Sequence, residues 1–155
     1  MKTKCSILFL CLLCTGVCFA QKDLFDQYAN KENVTSVYVS KTMFDMMPAI
    51  GDIGLSLVNM KGKVESLQIV STEQPGLMQQ MRKDFSQLVS GRHQELMRVR
   101  DGKTRATFYA DMKGEQVRDL LMLADTDSSF TVIQLLGNFS LKDIQNIAGD
   151  MQISK

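Results

Sequence analysis

Two short apolar runs, residues 117–124 and 130–136, joined by Asp125-Thr126-Asp127-Ser128-Ser129, constrain this chain more than any other stretch. Each is short, bounded and apolar on adjacent as well as alternate positions, as strands covered on both faces are. The polar connection is rich in Asp and Ser, whose side chains hydrogen-bond nearby backbone, so the spacing predicts a hairpin. Gly137-Asn138 is expected to end the second run. Ser140 then caps a helix, with Asp143 at its third position as a capping box and Leu141, Ile144, Ile147 and Ala148 on one face before Gly149.

The segments upstream supply cover and further strands. Residues 23–30 put Leu24, Phe25 and Tyr28 on one side of a short helix, with Asp26 and Gln27 on the other. Residues 34–40 alternate Val37 and Val39 with Ser36, Tyr38 and Ser40, as a strand with one drier face does. Met43, Phe44 and Met47 then recur at helical spacing before Pro48, a loose segment 50–54 and a further turn at 55–59. Leu67 and Ile69 mark a second strand over 64–70, and the first two strands are read as parallel neighbours. Pro75-Gly76 opens the longest helix, in which Met78, Met81, Phe85, Leu88 and Val89 share a face until Gly91.

Asp101-Gly102 is the strongest short-range hairpin signal, between strands at 95–100 and 103–110. A two-residue turn at that dipeptide sets Arg100 against Lys103 and Arg98 against Arg105, so Arg98, Arg100, Lys103 and Arg105 share one face. Like charges directly across a strand pair destabilise by tenths of a kcal/mol up to about 1 kcal/mol. A wet face, with cations that discourage edge-to-edge aggregation, is a sufficient structural motive. A site for an anionic partner is the functional one.

Residues 1–20 have the parts of a secretory signal peptide: Lys2 and Lys4, an apolar stretch at 7–13, and Cys18-Phe19-Ala20 before Gln21. The apolar core is too short to span a bilayer. All four cysteines, Cys5, Cys11, Cys14 and Cys18, fall inside this leader, so the mature chain, 21–155, is cysteine-free and its stability must come from packing. The alternative is a lipoprotein acylated at Cys18, although Thr15-Gly16-Val17 fits a lipobox poorly. Loss of Lys2 and Lys4 changes the net charge from +1 to −1. That balance speaks against nucleic-acid binding, and no run after the leader is long enough to form a transmembrane segment.

Residues that could carry chemistry lack the surroundings it needs. His93 is the sole histidine and sits between a helix stop and a strand; no Gly-x-Ser-x-Gly elbow accompanies it. Asp125, Asp127 and Ser129 match the first half of a calcium loop, but Leu136 stands where a bidentate Glu belongs. Methionine is abundant, eleven in all, with pairs at Met43/Met46 and Met78/Met81. Thioethers suit Cu(I), yet both pairs read as core filler, and no His or Cys supports a metal site. Gly51 and Gly54 lack the strand and the Lys-Ser/Thr of a phosphate loop. No catalytic residue, metal or cofactor is expected.

Phe25-x-x-Tyr28, the Val37-Tyr38-Val39-Ser40 strand leading to Met43, Leu120-Leu121-Met122-Leu123 with Phe130-Thr131-Val132-Ile133, and above all Leu136-Gly137-Asn138-Phe139-Ser140-Leu141-Lys142-Asp143-Ile144 resemble a family of small exported Bacteroidetes proteins filed as a domain of unknown function, DUF4252. The resemblance covers most of the mature chain and implies a fold without implying an activity. Together these features predict a single α+β domain: about six strands in a mostly antiparallel sheet, with helices packed against it. The expected function is that of a non-enzymatic, exported periplasmic protein of the cell envelope. It would serve as a protein-binding or envelope-signalling accessory module that holds an exported or outer-membrane protein on the Arg98/Arg100/Lys103/Arg105 face. A small-ligand or lipid carrier with a methionine-lined gap is the alternative, and an uncharacterised hydrolase the second.

Overall fold

The computed structural model describes residues 19–46, 60 and 62–146. The leader with its four cysteines up to residue 18, Met47, Pro48, the 50–59 segment, and Ile147, Ala148 and Gly149 lie outside the described residues. In chain order the elements are α1 (Phe19–Ala29), β1 (Thr35–Ser40), α2 (Lys41–Met46), β2 (Val64–Thr72), α3 (Pro75–Arg92), β3 (Gln94–Asp101), β4 (Thr104–Lys113), β5 (Gln116–Asp125) and β6 (Phe130–Ser140). Residues 141–146 are helical. The six strands form one sheet in the order β1-β2-β6-β5-β4-β3, and every neighbouring pair is antiparallel. The α+β class and the single antiparallel sheet are as expected; the parallel pairing of the first two strands is not. Ser40 at the end of β1 lies opposite Ser66 near the start of β2. β2 thus starts at the end of the sheet where β1 stops, whereas a parallel neighbour would start at the opposite end.

The β5–β6 pair is central and is buried on both faces. On one side Leu121, Leu123, Phe130 and Val132, with Val70 of β2, meet Phe25 and Tyr28 of α1 and Met78, Met81, Phe85 and Val89 of α3. Phe25 and Tyr28 both pack against Phe85, with ring centroids 5.1 and 5.7 Å away. On the other side Leu67, Phe108, Ala110, Leu120, Ile133 and Leu135 join Phe44, Met60 and Ile144. Alternate residues of one strand thus serve two cores, which is why both runs are almost continuously apolar.

Ends of elements depart from expectation where tertiary contacts decide them. β6 runs through Gly137-Asn138 to Ser140, because Gly137 lets the strand pass Lys63: Asn138 N–H donates to the Lys63 carbonyl at 2.9 Å. A Cβ at Gly137 would lie 2.1 Å from that oxygen. The capping box forms as the spacing predicts, with Ser140 N–H donating to Asp143 Oδ2 at 2.9 Å and Asp143 N–H to Ser140 Oγ at 3.2 Å. Lys63 Nζ adds an ion pair to Asp143 at 2.7 Å. In the 125–129 turn Thr126, not Asp or Ser, organises the backbone; its hydroxyl accepts the N–H of Ser129 at 2.9 Å. Helix α3 passes Gly91 and ends at Arg92. At the β1 edge Val39 is buried, but Val37 is exposed, and so are Met43 and Met46 of α2. Only the Met78/Met81 pair is core filler.

Candidate functional site

The β3–β4 hairpin carries the cations, in a register one step from that expected. Asp101 pairs with Thr104, so the two turn residues are Gly102 and Lys103, with Gly102 at φ 58°. Glycine at the first central position is what a type II′ turn requires, and it outweighs the Asp-Gly preference for the position before. Arg100 therefore opposes Arg105, Arg98 opposes Thr107, and Val99 opposes Ala106. Arg98, Arg100 and Arg105 remain on one face, the side that carries α3, while Lys103 moves into the turn.

Acids divide this array. Arg98 bonds Glu95 at 2.6 Å, and Lys103 meets Asp127 at 2.5 Å. Asp125, opposite Arg105 on β5, is held by a two-pronged contact from Arg82 of α3 at 2.8 and 2.6 Å. That carboxylate holds the Arg82 guanidinium above its ordinary pKa, against the pull of burial. Asp125 and Asp127 are thus bound to cations. Arg100 and Arg105 remain: exposed, directly opposed, and in no ion pair among the described residues.

A second polar cluster is buried where α3 ends. His93 has an extended backbone, and its side chain, 1% exposed, places Nε2 3.2 Å from Asp119 Oδ2. Gln134 Nε2 donates to both Asp119 oxygens, at 3.0 and 3.2 Å. Arg92 bonds Asp111 at 3.2 Å and reaches within 4.0 Å of Asp119. An ionised carboxylate only accepts, so Nε2 carries the proton, and Nδ1 is left buried without a partner. A histidine oriented by an aspartate is the base half of a hydrolytic triad. Enclosed to this degree, it instead fastens the end of α3 to β5 and β6. Sequence placed His93 correctly between helix and strand but gave it no partner. The available signal was one acid and one amide, Asp119 and Gln134, inside runs otherwise apolar toward α3.

Met78 and Met81 are buried against aromatic rings and β-strands. A shallow groove of about 280 Å³ lies between α1 and the β1–β2 edge, lined by Phe25, Asp26, Ala29, Tyr38, Gln68 and Val70 among others. No helix among the described residues is long and apolar enough to cross a membrane.

The model of one family, described as a domain of unknown function (DUF4252), matches residues 28–147 of the chain. No curated protein and no solved structure matches it.

Proposed function

The chain belongs to the DUF4252 family, and from that premise we propose that it is a non-enzymatic, exported protein of the cell envelope that binds another envelope protein through the cationic face of its β3–β4 hairpin. Export rests on the leader features: Lys2 and Lys4 before an apolar stretch, with small residues ahead of Gln21. One observation carries the binding function. Arg100 and Arg105 oppose each other and form no ion pair among the described residues, while neighbouring Arg98, Lys103 and Arg82 each have an acid. Such a pair costs the free protein tenths of a kcal/mol or more, and an anionic partner removes that cost. Charge at a rim of this kind sets encounter rate and partner choice more than total affinity.

Crosslinked affinity capture from the native envelope tests the proposal. The tagged wild type is compared with a four-site variant in which Arg98, Arg100, Lys103 and Arg105 are all changed to Glu. A partner held by the wild type and lost from the still-folded variant supports it. Equal capture by both proteins removes this face from the function.

A further inference from the structure

We infer that the free edge of β3 accepts an extended acidic segment of the partner protein as a seventh strand, with acidic residues two apart and an apolar residue between them. This rests on the cationic-face proposal above and specifies how that face is read.

Among the described residues the sheet order leaves β3 without a neighbour on one side. In a two-residue hairpin the residues flanking the turn, Asp101 and Thr104, form a hydrogen-bonded pair, and pairing alternates from there. Val99 therefore bonds to Ala106, while the backbone N–H and C=O groups of Arg98 and Arg100 point to the open edge. The residues that offer free backbone groups are thus the ones that offer cationic side chains. In an added antiparallel strand, the residue opposite Arg100 has its Cβ about 5 Å away and on the same face. A Glu at that position reaches the Arg100/Arg105 pair, and a second Glu two residues along faces Arg98, where it competes with Glu95.

The reverse face sets the intervening residue. Met97 and Val99 alternate with the arginines and are only half-buried, Met97 beside Phe108 and Val99 beside Ala106. An apolar side chain opposite them gains contact with that flank. The register shift between Glu95 and Met97 limits regular addition to the segment from Met97 to the turn. The other edge, β1, bears no charged side chain from Thr35 to Ser40 and would not select acids.

The test uses purified protein and fluorescein-labelled peptides of alternating Glu and Val, read by anisotropy at low salt. Glu residues opposite Arg98 and Arg100 direct their own N–H and C=O groups at β3, and the Val residues direct theirs at solvent. Two peptides of identical charge follow, one N-methylated at every Glu and the other at every Val. We expect the Glu-methylated peptide to bind at least tenfold more weakly than the Val-methylated one. Binding of the parent peptide should protect the Arg98 and Arg100 amides from exchange, and R100E/R105E should weaken it at least tenfold. Equal affinity of the two methylated peptides, with loss in R100E/R105E, overturns strand addition and leaves the cationic face standing. Undiminished binding to R100E/R105E overturns both. Failure of the parent peptide to bind overturns the strand-addition inference, and envelope capture then judges the face independently.

Discussion

Replacing Asp119 by Ala removes the one acceptor that three elements share at the end of α3. Its side chain is 5% exposed and takes two hydrogen bonds from Gln134 and one from His93. Without it, the Gln134 amide and the His93 N–H become buried donors with no acceptor, in a site whose Nδ1 is already unpartnered. A stranded buried donor costs about 1–3 kcal/mol, so two cost roughly 2–6. Arg92 adds little, because it is 39% exposed, lies 4.0 Å away and keeps its bond to Asp111. We expect a loss of about 4 kcal/mol, a large share of the roughly 5–15 kcal/mol available to a domain. Asp119→Asn keeps an acceptor for Gln134 and should lose about half as much. Urea unfolding followed by far-UV circular dichroism measures both. A loss below about 1 kcal/mol for the Ala variant, or no difference between Ala and Asn, would refute the shared-acceptor account.

Three other perturbations have definite signs. Gly137→Ala drives a Cβ to 2.1 Å from the Lys63 carbonyl, beside the Phe139 ring; overpacking of this kind costs roughly 1–3 kcal/mol and should lower the melting temperature by several degrees. The Lys63 ammonium, aided by the Ser140 N–H, holds the Asp143 carboxyl below the usual range although burial opposes it. Its contribution is therefore complete above the unfolded pKa of about 3.9 and disappears as pH falls through the lower folded value. Denaturation of wild type and Asp143→Asn should show the full gap at pH 7 and a closing gap below about pH 4; a constant gap would contradict the assignment. Arg105→Gln removes the like-charge opposition to Arg100, so stability should rise by tenths of a kcal/mol while partner binding weakens. A loss of stability would mean that the arginine has a structural partner in solution.

Much of the fold was legible wherever one local rule decided the outcome. The Ser140/Asp143 capping box, the apolar face of α3 and the two central strands follow from spacing, because cap geometry and amphipathic periodicity are properties of a few consecutive residues. Register at the cationic hairpin failed by one residue, since Asp-Gly satisfies one turn type and Gly at the first turn position another. The end of β6 failed for a different reason. Gly137 reads as a stop, but its use is to let one backbone pass close to another, a contact with Lys63 that lies far away in sequence. The His93 cluster was illegible because its members come from the end of α3 and the interiors of β5 and β6, and only the strand order brings them together.

That same strand order joins the buried cluster to the proposed binding edge. Among the described residues β3 has a single neighbour, β4, and is bound to it through a hairpin with a register shift near its start. Its free side offers no restraint, so its entry point must be fixed from the α3 end. Arg92 and His93 stand immediately before Gln94; Arg92 bonds Asp111 of β4, and His93 bonds Asp119 of β5, which in turn takes hydrogen bonds from Gln134 of β6. At the far end Lys103 meets Asp127 of the β5–β6 turn. An edge strand anchored at its α3 end would keep the free backbone groups of Arg98 and Arg100 in line for the proposed partner, lowering the ordering cost that a short added strand would otherwise meet. The polar groups enclosed beneath α3 would thus give the arginines of the proposed binding edge a fixed base.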